Sequence, residues 1–543
     1  MEKKKRLVMT NVHPYTLAKE SLSQRDKIGQ LFMPGAFIND SETEILQLEK
    51  LIKEQHIGGL CFFHSRASAA TNFEGLKKII YNEDSFSTLK KLIQRYQNAA
   101  KYPLLISIDA EWGLAMRIEN TPQYPYAITL GALQDDDQLI FKVGQQIAHD
   151  CKAAGIHWNL APVVDINHNP NNPVIGYRSF GGHKNKVTEK ALAFIKGTES
   201  EGILTCLKHF PGHGDTEVDS HLGLPLISKS KETLIANELY PFQQLIDEGV
   251  DSIMAGHLAV PALADGDTIP SSLSKKMLKE VLRAEMKFKG VVISDALNMH
   301  AVSKEYPVKG ELEWLAFDAG NDVLCFAEHI QEGIATILKN ATKAQIEESF
   351  QRVWQLKEKA FKILEYPTEE LSKPDAVNKS IAQKSLTFFC GNEKAISQFS
   401  KGSFMGLELT KAEPHLFFKQ LKEVLDFQSI SSYDQSVWDL RNQLQKVENI
   451  VIAVYPPKVK PANFFDIPKA EIDFINELLL SKNVILYLFG NPYVLNHIKT
   501  DKAKAVLIAY QDFPVFEENA AHHFLGKSIA MGKIPVTINS ITA

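Results

Sequence analysis

Two short segments of this 543-residue chain carry side chains that could move a proton or attack an electrophile. The first is KHFPGHGDTEVDSH, from Lys208 to His221. Its Pro211, Gly212 and Gly214 force an irregular loop. Near its end Asp219 stands two residues before His221. A carboxylate hydrogen-bonded to an imidazole orients the ring and raises its basicity, which leaves the histidine a proton to give near neutral pH. Taken alone, an Asp-x-His triplet is a weak signal. The second segment is Gly290-Val-Val-Ile-Ser-Asp295, where an apolar run ends on a carboxylate. An aspartate held there could attack an anomeric carbon, ligate a metal or cap the following helix. The residues by themselves leave these three open.

Something must bring such distant residues together, and the hydrophobic pattern says what. Short apolar, β-rich runs alternate with helix-length amphipathic stretches, the pattern of repeated β/α units around a parallel sheet. Eight runs precede residue 330: Gly29 to Met33, Ile57 to Phe63, Leu104 to Ile108, Ile156 to Val164, Gly202 to Leu207, Ser252 to Ala255, Gly290 to Ile293 and Asp322 to Phe326. Helices are predicted over Glu42 to Gln55, Leu89 to Ala100, Asp137 to Ala154 and Lys231 to Glu248. Eight strand–helix units make a TIM (β/α)8 barrel. Asp109, Asp165, Lys208 with His209, His257 and Asp295 all follow these runs directly, at the barrel face where residues from different strands converge. Polar residues are common in turns after strands, so each alone has an ordinary explanation; six together are harder to dismiss. Met254 and His257, from the sixth run, are expected to line the pocket, and His213, between two glycines, to hold the loop.

Beyond the barrel, Asn340 to Leu364 reads as helix, and Glu365-Tyr-Pro-Thr-Glu-Glu-Leu-Ser-Lys-Pro374 has the proline and charge of a linker. The expected organisation is an N-terminal extension over 1–22, a catalytic barrel over 23–365, a linker over 366–380 and a smaller α/β sandwich domain over 381–543. In the last region the runs Leu386 to Cys390, Asn449 to Val454, Val484 to Phe489 and Ala505 to Ala509 alternate with helices such as Pro468 to Ser481. No clustered nucleophile and base stands there, so its expected role is structural or dimer-forming, giving a homodimer.

With 44% hydrophobic and 23% charged residues, the chain can bury a large core without disulfide or metal. Lys plus Arg number 60 against 65 Asp plus Glu, a net charge of -5, and no basic stripe invites nucleic acid or anionic lipid. Cys61, Cys151, Cys206, Cys325 and Cys390 have neither zinc-site nor disulfide-frame spacing, so reduced, buried thiols are expected. No cofactor and no metal is expected. No run of about 18 apolar residues exists to span a membrane. The basic start Met1 to Arg6 leads into Leu7 to Tyr15, which is too polar for a signal peptide, so the expected location is cytoplasmic, or periplasmic or secreted if a leader has been removed.

Several of these segments together resemble glycoside hydrolase family 3, in its β-N-acetylglucosaminidase branch typified by bacterial peptidoglycan recycling. The resemblance runs from about Ser23 to Glu365 and rests on Ile28-Gly-Gln-Leu-Phe-Met33, Ile108-Asp-Ala-Glu-Trp-Gly113, Asn172-Pro-Val-Ile-Gly-Tyr-Arg178-Ser-Phe-Gly181, the Lys208–His221 loop and the strand ending at Asp295. It implies Asp295 as nucleophile, His221 as acid/base and Asp219 as its support. It places sugar contacts on Asp109, Arg117, Arg178, Lys208 and His209. Two departures touch fine specificity: Ala110-Glu-Trp-Gly113 stands where many relatives have Gln-Glu-Gly-Gly, and Ala296 where an acidic residue is frequent. The glucosidase branch lacks the Asp-Ser-His triplet and draws its acid/base from the second domain, so the triplet points to N-acetylglucosaminides.

The implied reaction is removal of terminal β-N-acetylglucosamine from peptidoglycan fragments or chito-oligosaccharides, with retention through a glycosyl-aspartate. A neutral histidine base also admits phosphate as acceptor, so phosphorolysis by the same residues is the alternative outcome. Two rivals differ in kind. One is a metal-dependent barrel hydrolase gathering His209, His257 and Asp295 around a cation. The other is a sugar-binding barrel without turnover, against which intact Asp219, His221 and Asp295 stand.

Overall fold

The computed structural model describes residues 12–64, 81–216, 223–363, 370–412 and 415–539. They fall into two compact units, one from Met1–Gln123, Phe141–Asp165 and Ala191–Ser372, the other from Tyr124–Ile140, Ile166–Lys190 and Lys373–Ala543.

The first unit is a parallel β/α barrel. Its strands are β1 (Phe32–Met33), β2 (Gly35–Phe37), β3 (Gly59–Phe63), β4 (Leu105–Ile108), β5 (Trp158–Asn159), β6 (Leu207–Phe210), β7 (Ser252–Ala255), β8 (Val291–Ser294) and β9 (Leu324–Cys325). β1 and β2 are two pieces of one segment, parted at Pro34, which has no N–H to give to a ladder. Parallel ladders join β2-β3-β4-β5, β6-β7-β8 and β9-β1. Single parallel bridges, Trp158 to Leu204, Val163 to Lys208 and Ile293 to Val323, link these ladders, so pairing runs round from β9 back to β1. Strands covered on both faces read as unbroken apolar runs, which is why each of the eight predicted segments contains or adjoins a strand.

The strand predicted over Gly29 to Met33 needs correction: Gln24–Gly29 is a helix, begun by Ser23, whose hydroxyl accepts the Asp26 N–H, and only Phe32–Met33 is strand before Pro34. Glycine is required at its end, because a Cβ on Gly29 would lie 2.2 Å from the Gln55 carbonyl oxygen. The helix Glu42–Gln55 begins as expected, with Ser41 and Glu44 forming a reciprocal capping box. The helix predicted over Lys231 to Glu248 is two, Lys231–Ala236 and Leu239–Asp247, broken where Asn237 leaves helical geometry. Pro241 falls in the first turn of the second, where its missing N–H leaves no helical bond unmade.

The second unit holds a six-stranded sheet of β10 (Thr387–Gly391), β11 (Met405–Leu409), β12 (Gln428–Ser431), β13 (Asn449–Val454), β14 (Asn483–Leu488) and β15 (Ala505–Ile508). The order is β10-β15-β14-β13-β11-β12, parallel except for β10. Alternate residues of β13 and β14 feed two cores. Ile450, Ile452, Leu486 and Leu488 pack with the helix Lys469–Ser481 on one face, and Val451, Ala453, Ile485 and Tyr487 with Leu416–Lys422 and Pro514–Phe524 on the other. This is an α/β sandwich with helices on both faces of the sheet. β11 and β12 were not among the predicted strands.

Candidate active site

Asp109 directly follows β4, and two cations hold its carboxylate. Oδ1 accepts from Lys208 Nζ at 2.7 Å and Oδ2 from Arg117 Nη2 at 3.0 Å. Burial acts to raise its pKa, but Lys208 and Arg117 outweigh it and keep the carboxyl well below the usual carboxylate range. Lys208, in β6 and with its side chain 2% exposed, also meets Glu111 Oε1 at 2.8 Å. The Arg117 guanidinium lies 3.7 Å from the Phe63 ring centroid, at the end of β3. Phe63 in turn meets Phe326, just past β9, edge-to-face at 6.0 Å. Residues from β3, β4, β6 and β9 therefore build one wall at the carboxyl ends of the strands.

His209, beside Lys208, is oriented by Asp165. Nδ1 donates to Asp165 Oδ2 at 2.8 Å, and the buried carboxylate also accepts the His209 and His213 backbone N–H groups, the latter at 2.6 Å. Burial opposes the charge of Asp165, yet His209 and these bonds hold its pKa below the ordinary value. His213 Nδ1 bonds Thr216 Oγ1 at 2.8 Å, and burial, aided by His209, pushes its pKa down to about 4. His213 is therefore neutral at pH 7 and holds the loop. Gly212, at φ +120°, occupies a conformation that disfavours side chains.

Asp295 follows β8. Its N–H donates to the Ala255 carbonyl at the end of β7 at 2.9 Å, and its Oδ1 accepts the Ala296 N–H at 2.8 Å. His257 secures the same peptide segment. Its Nε2 bonds the Ala296 carbonyl at 3.0 Å and its Nδ1 the Ser272 hydroxyl at 2.6 Å. A carbonyl accepts only, so Nε2 carries a proton and donates it to Ala296. Asp109 and Asp295 act on common neighbours: both raise the pKa of the buried thiols of Cys206 and Cys325, where burial and, for Cys325, the adjoining Cys61 contribute more. The five cysteines are free thiols, four of them buried.

Of the other predicted residues, Met254 is a buried member of β7. Arg178 belongs to the second unit, where Gly176–Arg178 is a short 3-10 turn and its Nη1 donates to the Val174 carbonyl at 3.3 Å. Asp219 and His221 lie outside the described residues. The segment that carries them is flanked by an ion-pair clamp in which Lys229 Nζ meets Asp215 Oδ2 at 2.7 Å and Glu238 Oε1 at 2.6 Å. Among the described residues no three His, Cys, Asp or Glu side chains are grouped to hold a metal ion. No described helix is long and apolar enough to cross a membrane.

Three features stand outside the predicted set: Glu111 as partner of Lys208, the Phe63 ring under Arg117, and a His64–Glu119 pair whose histidine follows β3. Glu111 and His64 each stand at or just beyond a strand end, the signal used for the others.

The strand ends of this β/α barrel gather carboxylates, a buried lysine and an arginine stacked on an aromatic ring, on the face where such barrels hold their active sites. Comparison with known proteins sharpens that reading. Residues 23–356 match the family described as Glycosyl hydrolase family 3 N terminal domain. The chain belongs to glycosyl hydrolase family 3. It is 34% identical over 292 residues to "Beta-hexosaminidase A" of Pseudoalteromonas piscicida, a match covering 51% of this chain and 47% of that protein, so the chain spans about half of that relative's length. It is 36% identical over 250 residues to a "Beta-hexosaminidase" of Neisseria meningitidis serogroup C, covering 45% of this chain and 68% of the relative. Among solved structures it resembles a glycoside hydrolase family 3 beta-N-acetylglucosaminidase from Paenibacillus sp. str. FPU-7, with a TM-score of 0.77 and 25% identity, over 96% of this chain and 100% of that one.

Proposed function

We propose that this family 3 protein is a glycoside hydrolase, a retaining exo-β-N-acetylglucosaminidase that removes terminal β-N-acetylglucosamine from peptidoglycan fragments or chito-oligosaccharides. The observation that carries the reading is the Asp109–Lys208–Arg117 cluster around the buried Lys208 at the strand ends, together with Asp295 held by Ala255 and Ala296 at the end of β8. The likeness to β-hexosaminidases supports the choice of sugar.

Asp109 accepts sugar hydroxyl protons, while Lys208, Arg117 and His209 donate to hydroxyl or acetamido oxygens. Asp295 attacks C1 with a carboxylate oxygen as His221 gives its proton to the departing glycosidic oxygen, so the C1–O bond breaks as the ester forms. Asp219 keeps the His221 ring oriented. The imidazole, now neutral, takes a proton from water, whose oxygen displaces Asp295 from C1 and restores the β configuration. His257 acts as a positioning residue, fixing the Ala296 peptide whose N–H holds the nucleophile.

The test is turnover of p-nitrophenyl N-acetyl-β-glucosaminide beside the β-glucoside, for the wild type, Asp295→Ala and His221→Ala, with and without phosphate. Preference for the acetamido sugar, abolished in Asp295→Ala and strongly reduced in His221→Ala, is expected. Phosphate-dependent release of sugar 1-phosphate would make the enzyme a phosphorylase. Full activity in Asp295→Ala would rule out the assigned nucleophile.

A further inference from the structure

Lys208 is shared by two carboxylates, Asp109 at 2.7 Å and Glu111 at 2.8 Å, and Asp109 is shared in turn by Arg117 at 3.0 Å. Two anions and two cations thus form one chain of contacts. The side chains are 17%, 6%, 2% and 18% exposed for Asp109, Glu111, Lys208 and Arg117, so water screens them poorly. Lys208 and Arg117 on Asp109 alone would leave one positive charge facing the ligand; Glu111 cancels it. Asp295, just past β8 at the same strand-end face of the barrel, adds a further carboxylate.

We infer that Glu111 is a specificity-determining residue: by balancing Lys208 it makes the pocket accept an uncharged terminal sugar and reject one bearing a carboxylate, sulfate or phosphate. This rests on reading the cluster as the sugar site. Hydroxyl and acetamido groups lose little on entering, because each water they leave is replaced by a charged donor or acceptor already in place. An anionic substituent gives up its hydration and meets cations already neutralised, with the Asp295 carboxylate nearby. Glutamine at position 111 would keep the shape and an acceptor oxygen but leave one positive charge unbalanced. The penalty on an anionic sugar would then fall, while Lys208, less firmly held, would bind the neutral sugar less well.

The experiment measures binding of N-acetylglucosamine and of its 6-sulfate to the full chain by saturation-transfer NMR, and hydrolysis of their p-nitrophenyl β-glycosides. The proteins are the wild type, Glu111→Gln and Glu111→Asp, each with its melting temperature. The wild type is expected to favour the neutral sugar strongly, Glu111→Gln to narrow that ratio by about tenfold or more, and Glu111→Asp, which keeps the charge, to restore most of it. An unchanged ratio in Glu111→Gln, or no difference between Gln and Asp, overturns the inference. So does a wild type that binds the 6-sulfate as tightly as the neutral sugar, whatever becomes of the variants. Binding without turnover would sink the hydrolase reading while leaving the discrimination measurable.

Discussion

At Asp109, burial and charge pull in opposite directions and charge wins. Because its folded pKa is depressed, the stability it contributes is complete above the ordinary carboxyl value of 3.8 and is lost only as pH falls through the lower, folded one. Asp109 therefore stays ionised across the working range, and neither limb of a pH–rate profile above pH ~5 belongs to it. Asp109→Asn leaves Lys208 and Arg117 short of a counter-charge. It should lower kcat/KM by about hundredfold without moving the inflections of the profile, as steady-state assays at several pH values would show. His257 works one step removed, through the Ala296 peptide. On the proposed mechanism, His257→Ala should cost about tenfold in kcat with little change in KM, since it loosens the proposed nucleophile rather than the proposed sugar contacts. A rise in KM alone would place His257 against the sugar instead.

At the scale of elements, the clamp of Lys229 on Asp215 and Glu238 ties together the two flanks of the segment containing Asp219 and His221. On the proposed mechanism, in which that segment supplies the acid, Lys229→Met is expected to lower kcat by about tenfold. Unchanged kinetics would show that the clamp serves only folding. The barrel strands were legible because residues such as Leu105 to Ile108 and Val291 to Ser294 are buried throughout. Their limits were not, since β1 is bounded by the Ser23-capped helix before it and by Pro34 after it rather than by periodicity. β12 escaped notice because Gln428, Ser429 and Ser431 are polar, as suits the edge of a sheet. Asp109, Lys208 and Asp295 could be picked out by their places after or within strand runs. Glu111 could not be assigned, because its meaning lies in a lysine 97 residues away along the chain.

At the scale of the whole molecule, stability should carry the mark of a lysine remote from the sugar contacts. Lys357, on the helix Lys343–Ile363, is fully buried, with its Nζ donating to Gln30 Oε1 at 2.6 Å and lying 5.3 Å from the Trp354 ring. Burial pushes its pKa down to about 7 from 10.5. The unfolded chain therefore holds the extra proton between those values, and this group makes stability rise with pH by about 1.4 kcal/mol per unit from pH ~7 to ~10, with no further slope from it below the folded pKa, where both states are protonated. Lys357→Met should flatten that slope in chemical denaturation at a series of pH values; an equal slope in the variant would contradict the assignment. The most direct test of the catalytic reading is a trapping experiment with a 5-fluoro N-acetylglucosaminyl fluoride, followed by peptide mass spectrometry. A covalent sugar on the peptide containing Asp295, with β-configured product from the untrapped reaction, is the predicted result. A sugar on any other carboxylate, or an inverted product, would contradict it.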